Sequence, residues 1–366
     1  MFPKKASKGS VLKAIRIVFL LLLLLVIVYY IYPEIFDPLG QIMEEHFLYP
    51  RLKASCLSIN EDMKRIGDGS VKMIVVPYIG SLEGTMSEKW LEEVDSHFIK
   101  FHLENEIPAV FSFYASDLDG NKKFDRILKE LYLSNCFEIL QKGTDKPEND
   151  PFLYKMPFET QKKGIEQGKK NLEGKLKRLL PNYDIAPISL FNSLEGKVNE
   201  DTVRALSELG FKAYFELFHE EGIEFFKPPS PRFDVYQYGV SFTKVGLPGP
   251  GAEFWKAGEI IREIENFALN NSETPLTRVD NITVIPIFME NWDIEGVDSA
   301  NPGGNSEINT TKWEIYKQVL LTLNSRNDTI ILTPLQVWEL RHRYGHLPAD
   351  SLEVRNFVSV ENSSSL

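Results

Sequence analysis

The sequence predicts an α/β fold, a (β/α) barrel built on one parallel sheet, and three observations predict it. Short β-branched runs alternate with amphipathic helical stretches from residue 71 to about residue 340. Repeated β-then-α units place strands side by side in parallel, and roughly 270 residues are enough for such a sheet to curl into a barrel. The composition, 43% hydrophobic and 25% charged, is that of an ordinary globular protein with a full core.

The elements follow in order. Val71–Ile79 (VKMIVVPYI) reads as a buried strand. Ser87–Leu103 reads as an amphipathic helix with Ser87 as its N-cap. Pro108–Tyr114 (PAVFSFY) is a strand, Asp125–Ser134 a helix, and Cys136–Leu140 (CFEIL) a strand. Glu159–Leu180 is a long, Lys-rich helix, and Pro187–Phe191 a strand. Asn199–Leu209 is a helix closed by Gly210, and Phe211–Phe215 a strand. Glu220–Gly251 is rich in Pro and Gly and yields no assignment; its KPPSPRFD segment reads as a rigid connection. Ala257–Leu269 is a helix, Ile282–Met289 (ITVIPIFM) a strand, Thr311–Leu323 a helix, Thr329–Leu332 a strand and Pro334–Tyr344 the last helix.

The amino terminus points to a membrane. Lys4, Lys5, Lys8, Lys13 and Arg16 precede an unbroken apolar run from Ile17 to Tyr32, with no acidic residue among them. That run is near the short limit for crossing a ~30 Å hydrocarbon core. Tyr29, Tyr30 and Tyr32 stand where an aromatic belt belongs, and the cationic flank orients the rest of the chain outward. The alternative is a removed signal peptide, but YYIYPEIFDP offers no small-residue cleavage pattern. Pro33 and Pro38 then break the helix, and residues 33–69 read as a stalk that Asp68-Gly69 ends. The expected organisation is a cytoplasmic basic tail (1–16), a single-pass anchor (17–32), the stalk (33–69), the barrel (70–345) and a tail (346–366). The lipid bilayer is the one partner that residues 17–32 specify.

Charge excludes nucleic acid as a partner. The chain carries −11 overall, and since its first 16 residues hold five basic and no acidic side chains, the outward part carries −16. Cys56 and Cys136 are the two cysteines, and outside a cell they can pair, although two thiols make no disulfide framework. N-x-S/T sequons begin at Asn270, Asn281, Asn309, Asn327 and Asn362 and suit an exported domain.

Three segments carry a resemblance to a known family. They are IPAVFSFY at Ile107–Tyr114, ETQKKGIEQGKKNLE at Glu159–Glu173, and NEDTVRALSELGFKAYF at Asn199–Phe215. In order and spacing they resemble the second strand, the long helix and the later helix–strand pair of NodB-type polysaccharide deacetylases, over roughly residues 71 to 340. The resemblance implies a distorted seven-stranded barrel and metal-assisted hydrolysis of an N-acetyl group on carbohydrate. It implies a divalent metal such as zinc, held by one Asp and two His at strand ends, with a second Asp as base and a late His as acid. Imidazole and carboxylate are the ligands such a cation takes, and the bound metal brings the pKa of its water toward neutrality.

At those strand ends this sequence departs from the pattern. The first strand ends Pro77-Tyr78-Ile79-Gly80 with no acid before Glu83. After CFEIL stand Lys142 and Lys146 where an H-x-x-x-H pair belongs, and the fourth strand reads Ala186-Pro187-Ile188-Ser189. The late strand runs into Glu290-Asn291-Trp292-Asp293, placing Glu290 where His belongs. Lysine is cationic at neutral pH and repels a divalent ion. The expectation is therefore no metal ligand set and no cofactor, with Glu83, Asp145 and Glu290 as the strand-end carboxylates that any residual catalysis would use. Tyr78, Lys142, Lys146, Asn291 and Trp292 are expected to line the cleft.

Each of these has a plainer reading. Lys142 and Lys146 with the acids make either a proton-transfer pair or a salt-bridged plug. Tyr78, Trp255 and Trp292 stack on sugar rings or pack in the core. Asp117, Asp119 and Asn121 form a polar turn or a distorted calcium loop. His342 and His346, four residues apart, form a metal pair or a solvated helix end.

The functional expectation is a membrane-anchored extracytoplasmic deacetylase-like protein. It is either a pseudoenzyme that binds envelope glycan or scaffolds an envelope assembly, or an active carbohydrate hydrolase with atypical ligands or two glycosidase-like carboxylates.

Overall fold

A computed structural model of the chain describes residues 65–343, apart from 67, 135, 146–149, 194–197, 217–233, 238, 245–251, 271–277, 280 and 297–306. The chain divides into two units, Met1–Leu52 and Lys53–Leu366. The expected anchor at 17–32, nearly all of the stalk and the tail at 346–366 lie outside the described residues. Among the described residues no helix is long and apolar enough to cross a membrane.

The seven main strands of the sheet run parallel. Strands β1 (Met73–Leu82), β2 (Ala109–Tyr114), β3 (Phe137–Lys142), β4 (Leu190–Asn192), β5 (Ala213–Glu216), β6 (Asp234–Gln237) and β9 (Ile282–Met289) lie side by side in the order β6-β5-β4-β3-β2-β1-β9. This is a half-barrel of seven parallel strands, in line with the expected α/β barrel. The two-residue strand β7 (Val240–Ser241) pairs beyond β9, and β8 (Arg278–Val279) runs antiparallel to β9. The last strand, β10 (Thr329–Ile331), pairs with Met73–Val75 on β1, below the stretch that pairs with β2.

Helices flank the sheet, all but the last of them on its outer face. They are α1 (Glu88–Val94), which passes through a π-helical turn (Asp95–Ile99) into α2 (Lys100–Glu104), then α3 (Lys122–Leu133), α4 (Phe158–Leu179), α5 (Glu200–Glu208), α6 (Ala257–Asn270), α7 (Thr310–Asn324) and α8 (Pro334–Arg343). Ser87 caps α1 by accepting the Trp90 N–H, as its position predicts, and Asn199 and Thr202 close α5 with a reciprocal capping box. In the turn expected to be polar or calcium-binding, Asn121 caps α3 and Asp117 accepts from the Thr85 hydroxyl at 2.7 Å.

Three strands were not legible in the sequence. β6 and β7 fall in the Pro- and Gly-rich region, and β8 is only two residues long. Gly239 sits beside β7 because a Cβ there would stand 1.8 Å from the Pro286 carbonyl oxygen on β9. The fourth strand begins at Leu190 rather than Pro187, since proline has no N–H to give a ladder.

Alternation along the strands divides the core in two. Val75, Ile79, Phe111, Ile139 and Phe191 pack outward against the helices, with Leu91, Ile127, Ile165 and Leu206 facing them. Ile74, Val76, Val110, Leu140, Leu190 and Val284 form the inner cluster, which Val337 and Leu340 of α8 join. His102, on α2, is wholly buried in the outer layer, between the Ile107 carbonyl (2.7 Å from Nδ1) and the Tyr316 hydroxyl (2.7 Å from Nε2). Cys136, at the start of β3, is disulfide-bonded. The chain's other cysteine, Cys56, lies outside the described residues.

Glu138 fastens α8 to the start of β3. Its carboxylate accepts the Leu335 N–H at 3.0 Å and the Thr333 hydroxyl. Burial pushes its pKa up to about 7 from 4.5, and these two hydrogen bonds only partly oppose that. The folded state thus holds the proton more tightly than the unfolded chain does. Its stabilisation is complete below the unfolded pKa and is lost as pH rises through about 7. Glu138→Gln is expected to flatten the stability profile between about pH 5 and pH 8 and to gain on the order of 2 kcal/mol over the native chain at the upper end. Urea unfolding across that range measures it.

Candidate functional site

The carboxyl ends of β1, β2, β3, β4 and β9 bring a polar layer together above the inner apolar cluster. Period-two alternation sends Ser112 and Tyr114 inward on β2, Lys142 on β3, Asn192 on β4 and Glu290 just beyond β9. β1 needs one more device. Its pairing with β2 slips between Ile79 and Ser81, so that Ser81 joins Tyr78 on the inner face.

At the centre the Lys142 ammonium meets the Glu290 carboxylate, Nζ to Oε1 at 3.1 Å, with both side chains 3% exposed. The other oxygen, Oε2, accepts the Ser81 backbone N–H at 2.8 Å and lies 3.5 Å from the Ser81 hydroxyl. Lys142 also donates to the Ser81 hydroxyl, and its Nζ lies 4.8 Å from the centroid of the Tyr114 ring. A chain of hydroxyls leads into the pair. Asn192 Nδ2 donates to the Tyr78 hydroxyl (3.2 Å), Tyr78 to Ser112 (2.9 Å) and Ser112 to Ser81 (3.2 Å).

Electrostatics follow from burial and from the pair. Burial pulls Lys142 toward the neutral amine, and the facing Glu290 carboxylate, with Tyr78 and Tyr114, outweighs it, so the ammonium holds its proton more firmly than an ordinary lysine. Burial raises Tyr78 and Tyr114, which stay neutral phenols. At the rim Glu83 is raised above the usual carboxylate range by burial and by the neighbouring Asp117.

The residues singled out in the sequence divide clearly. Glu290, Lys142 and Tyr78 meet at the centre, and Glu83 shares its electrostatic field. Asp145 does not join them: it lines a groove along α4 with Glu159, Lys163 and Gln167. Asn291 is buried, donating to the Ser81 carbonyl and accepting the Trp90 indole N–H at 3.1 Å, so it ties α1 to the strand ends. Tyr78 is buried between Phe288 (centroids 4.9 Å apart) and Phe215 (5.1 Å), which removes it from stacking on a sugar. Trp255 is partly buried and donates to the Thr243 carbonyl at 3.0 Å. Lys146, His346 and the side chains of Trp292 and His342 lie outside what is described. Ser81, Ser112, Tyr114 and Asn192 had no sequence signal of their own. Strand parity identifies all but Ser81, which the irregularity at Gly80 hides.

A divalent metal does not suit this donor set. The centre offers one carboxylate, already engaged by an ammonium and a backbone N–H, and no imidazole. Among the described residues no group of three or more His, Cys, Asp or Glu side chains stands ready to hold a metal ion.

No family model matches the chain, and neither does any curated protein. The chain resembles polysaccharide deacetylases and carbohydrate esterases of known structure. One, from Pseudomonas aeruginosa PAO1 and described as a polysaccharide deacetylase, is 8% identical with a TM-score of 0.48, over 77% of this chain and 94% of that one. A family 4 carbohydrate esterase from Streptomyces lividans is 9% identical with a TM-score of 0.37, over 72% and 92%. A 4-alpha-glucanotransferase from Thermococcus litoralis is 14% identical with a TM-score of 0.43, over 73% of this chain but 40% of the longer enzyme. TM-scores below 0.5 at such identities transfer no chemistry.

The centre makes two expectations for variants. Lys142→Met leaves a carboxylate buried without its cation and is expected to cost about 3–5 kcal/mol, most of it recovered when Glu290→Gln is added. Gly80→Ala would put a methyl group 1.7 Å from Glu290 Oε2 and is expected to cost a similar amount by breaking the pair from the other side. Urea unfolding of the three variants against the native chain checks both.

Proposed function

We propose that this chain is a membrane-anchored, extracytoplasmic barrel of the polysaccharide-deacetylase kind that binds cell-envelope carbohydrate, or scaffolds an envelope assembly, without running metal-assisted hydrolysis. The observation that carries the reading is the buried Lys142–Glu290 pair at the strand ends, where metal-dependent hydrolysis would need ligands. An ammonium has three donors and no lone pair, so it cannot ligate a cation and repels one. The basic-then-apolar amino terminus supports the anchor, and the disulfide at Cys136 suits an oxidising compartment.

Glu83 favours a second reading, a hydrolase acting on surface glycans. Burial and the neighbouring Asp117 raise the pKa of the half-buried Glu83 carboxyl, the direction that general-acid chemistry needs.

Elemental analysis of the purified protein, with assays of acetate release and chain cleavage on N-acetylated oligosaccharides, separates the two. The expected result is retention of oligosaccharide in a binding assay, no stoichiometric zinc, and no turnover. Stoichiometric metal with acetate release would reverse the order. Cleavage without metal that is lost in Glu83→Gln would establish the glycosidase-like form.

A further inference from the structure

Glu290 does more than neutralise Lys142: its carboxyl group fits the surrounding donors as a ligand fits a binding site. One oxygen faces the ammonium, and the other faces a backbone N–H and a hydroxyl, both from Ser81. The space the group fills exists because residue 80 is glycine. A Cβ there would stand 1.7 Å from Oε2 and 2.4 Å from Cδ. The Ser81 side of the site is fixed by contacts other than the occupant's. Ser81 is held by the Ser112 hydroxyl and through its carbonyl by Asn291, and Asn291 is held by Trp90. The occupant's backbone is fixed as well, the Glu290 N–H donating to Asp293 Oδ2 at 2.9 Å.

We propose that Ser81, Lys142 and the bare Cα of Gly80 form a carboxylate-binding cradle whose resident ligand is the chain's own Glu290. The ligand class is a small planar monocarboxylate, because a cationic donor and a paired backbone N–H and hydroxyl converge on the two oxygens of one such group. A spherical halide satisfies only one of those directions. In the native chain the tethered carboxylate holds the cradle at an effective concentration no free anion matches, so external ligands meet the rim near Glu83 and Tyr114. Cutting the side chain back to Cβ vacates a volume close to that of acetate.

The test is chemical rescue of full-length Glu290→Ala. Its thermal midpoint is followed against sodium formate, sodium acetate and sodium chloride at matched ionic strength. A ligand that binds only the folded state raises the midpoint with the logarithm of its concentration once above its dissociation constant. The expected result is such a rise with formate and acetate, none with chloride, and none for the native chain or for Glu290→Gln. Adding Lys142→Met to Glu290→Ala is expected to abolish the rise. If Glu290→Ala is recovered only as insoluble protein, refolding yield with and without formate is the measure, and a several-fold gain with formate alone is expected. A response to chloride equal to that to formate, a response that survives loss of Lys142, or no response in either measurement would overturn the proposal.

Discussion

The ion pair between Lys142 and Glu290 sets the terms for everything around it. Two opposite charges taken out of water tolerate only a complete environment, since each left alone costs several kcal/mol. Completeness here draws on three strands and the backbone between them. β3 supplies the ammonium and the end of β9 the carboxylate, while β1 contributes a hydroxyl, an N–H and a residue with no side chain. The pair is weak evidence for extra stability, because well-packed apolar residues often do as well. What it imposes is register: a slip of one residue in β3 or β9 would turn its charge into the apolar layer under the helices.

That register is legible in the way polarity is stacked inside the sheet. Below the pair the inner faces carry Ile74, Val76, Val110, Leu140 and Val284, with Glu138, two residues before Leu140 on β3, as the polar exception that ties down α8. Above them come Tyr78, Ser112, Ser81, Lys142, Asn192 and Glu290, whose hydroxyls hand protons along one direction toward the carboxylate. Such a chain polarises each member toward the charge at its end and so strengthens the acceptance at Glu290. Asn192 begins the chain with its amide N–H, while its own Oδ1 is buried without a partner. The sheet thus passes from a mainly apolar layer to an ionic one within a single step of the strand repeat, and the irregularity at Gly80 lets β1 take part.

Most of this fold could be read from period and punctuation. Ile282–Met289 was bounded correctly as a strand, and Asn199–Leu209 as a helix to within a residue at each end, because β-branched runs, caps and Gly210 are local signals. β6 and β7 were not, since a Pro- and Gly-rich stretch hides strands whose identity comes from neighbours rather than from their own residues. At the site, setting the strand ends against the pattern of the resembled family singled out Lys142 and Glu290, and the geometry brings them within hydrogen-bond distance. Asp145, also singled out as a strand-end carboxylate, stands apart from them along α4. β3 continues to Lys142, and a left-handed Gly143 follows with φ +70°, after which the chain runs against α4. Ser81 was invisible because a shift in strand pairing is a property of two strands, not of one sequence.

The same physics explains why this centre and a metal centre are alternatives rather than neighbours. A dication placed near Glu290 would share a low-dielectric space with the Lys142 ammonium, and repulsion there is far stronger than in water. Losing the lysine's proton would relieve that, yet Glu290 and the two tyrosines stabilise the charged form, so the proton is hardest to remove where a metal would need it gone. Nor would one substitution clear the way. Exchanging Lys142 for an imidazole removes a donor from Ser81 as well as from Glu290, and the one carboxylate left would still be bonded to the Ser81 N–H. Lysine, glycine and glutamate at these three strand ends therefore depend on one another as a set, and the charge at the heart of the sheet is balanced from within the chain.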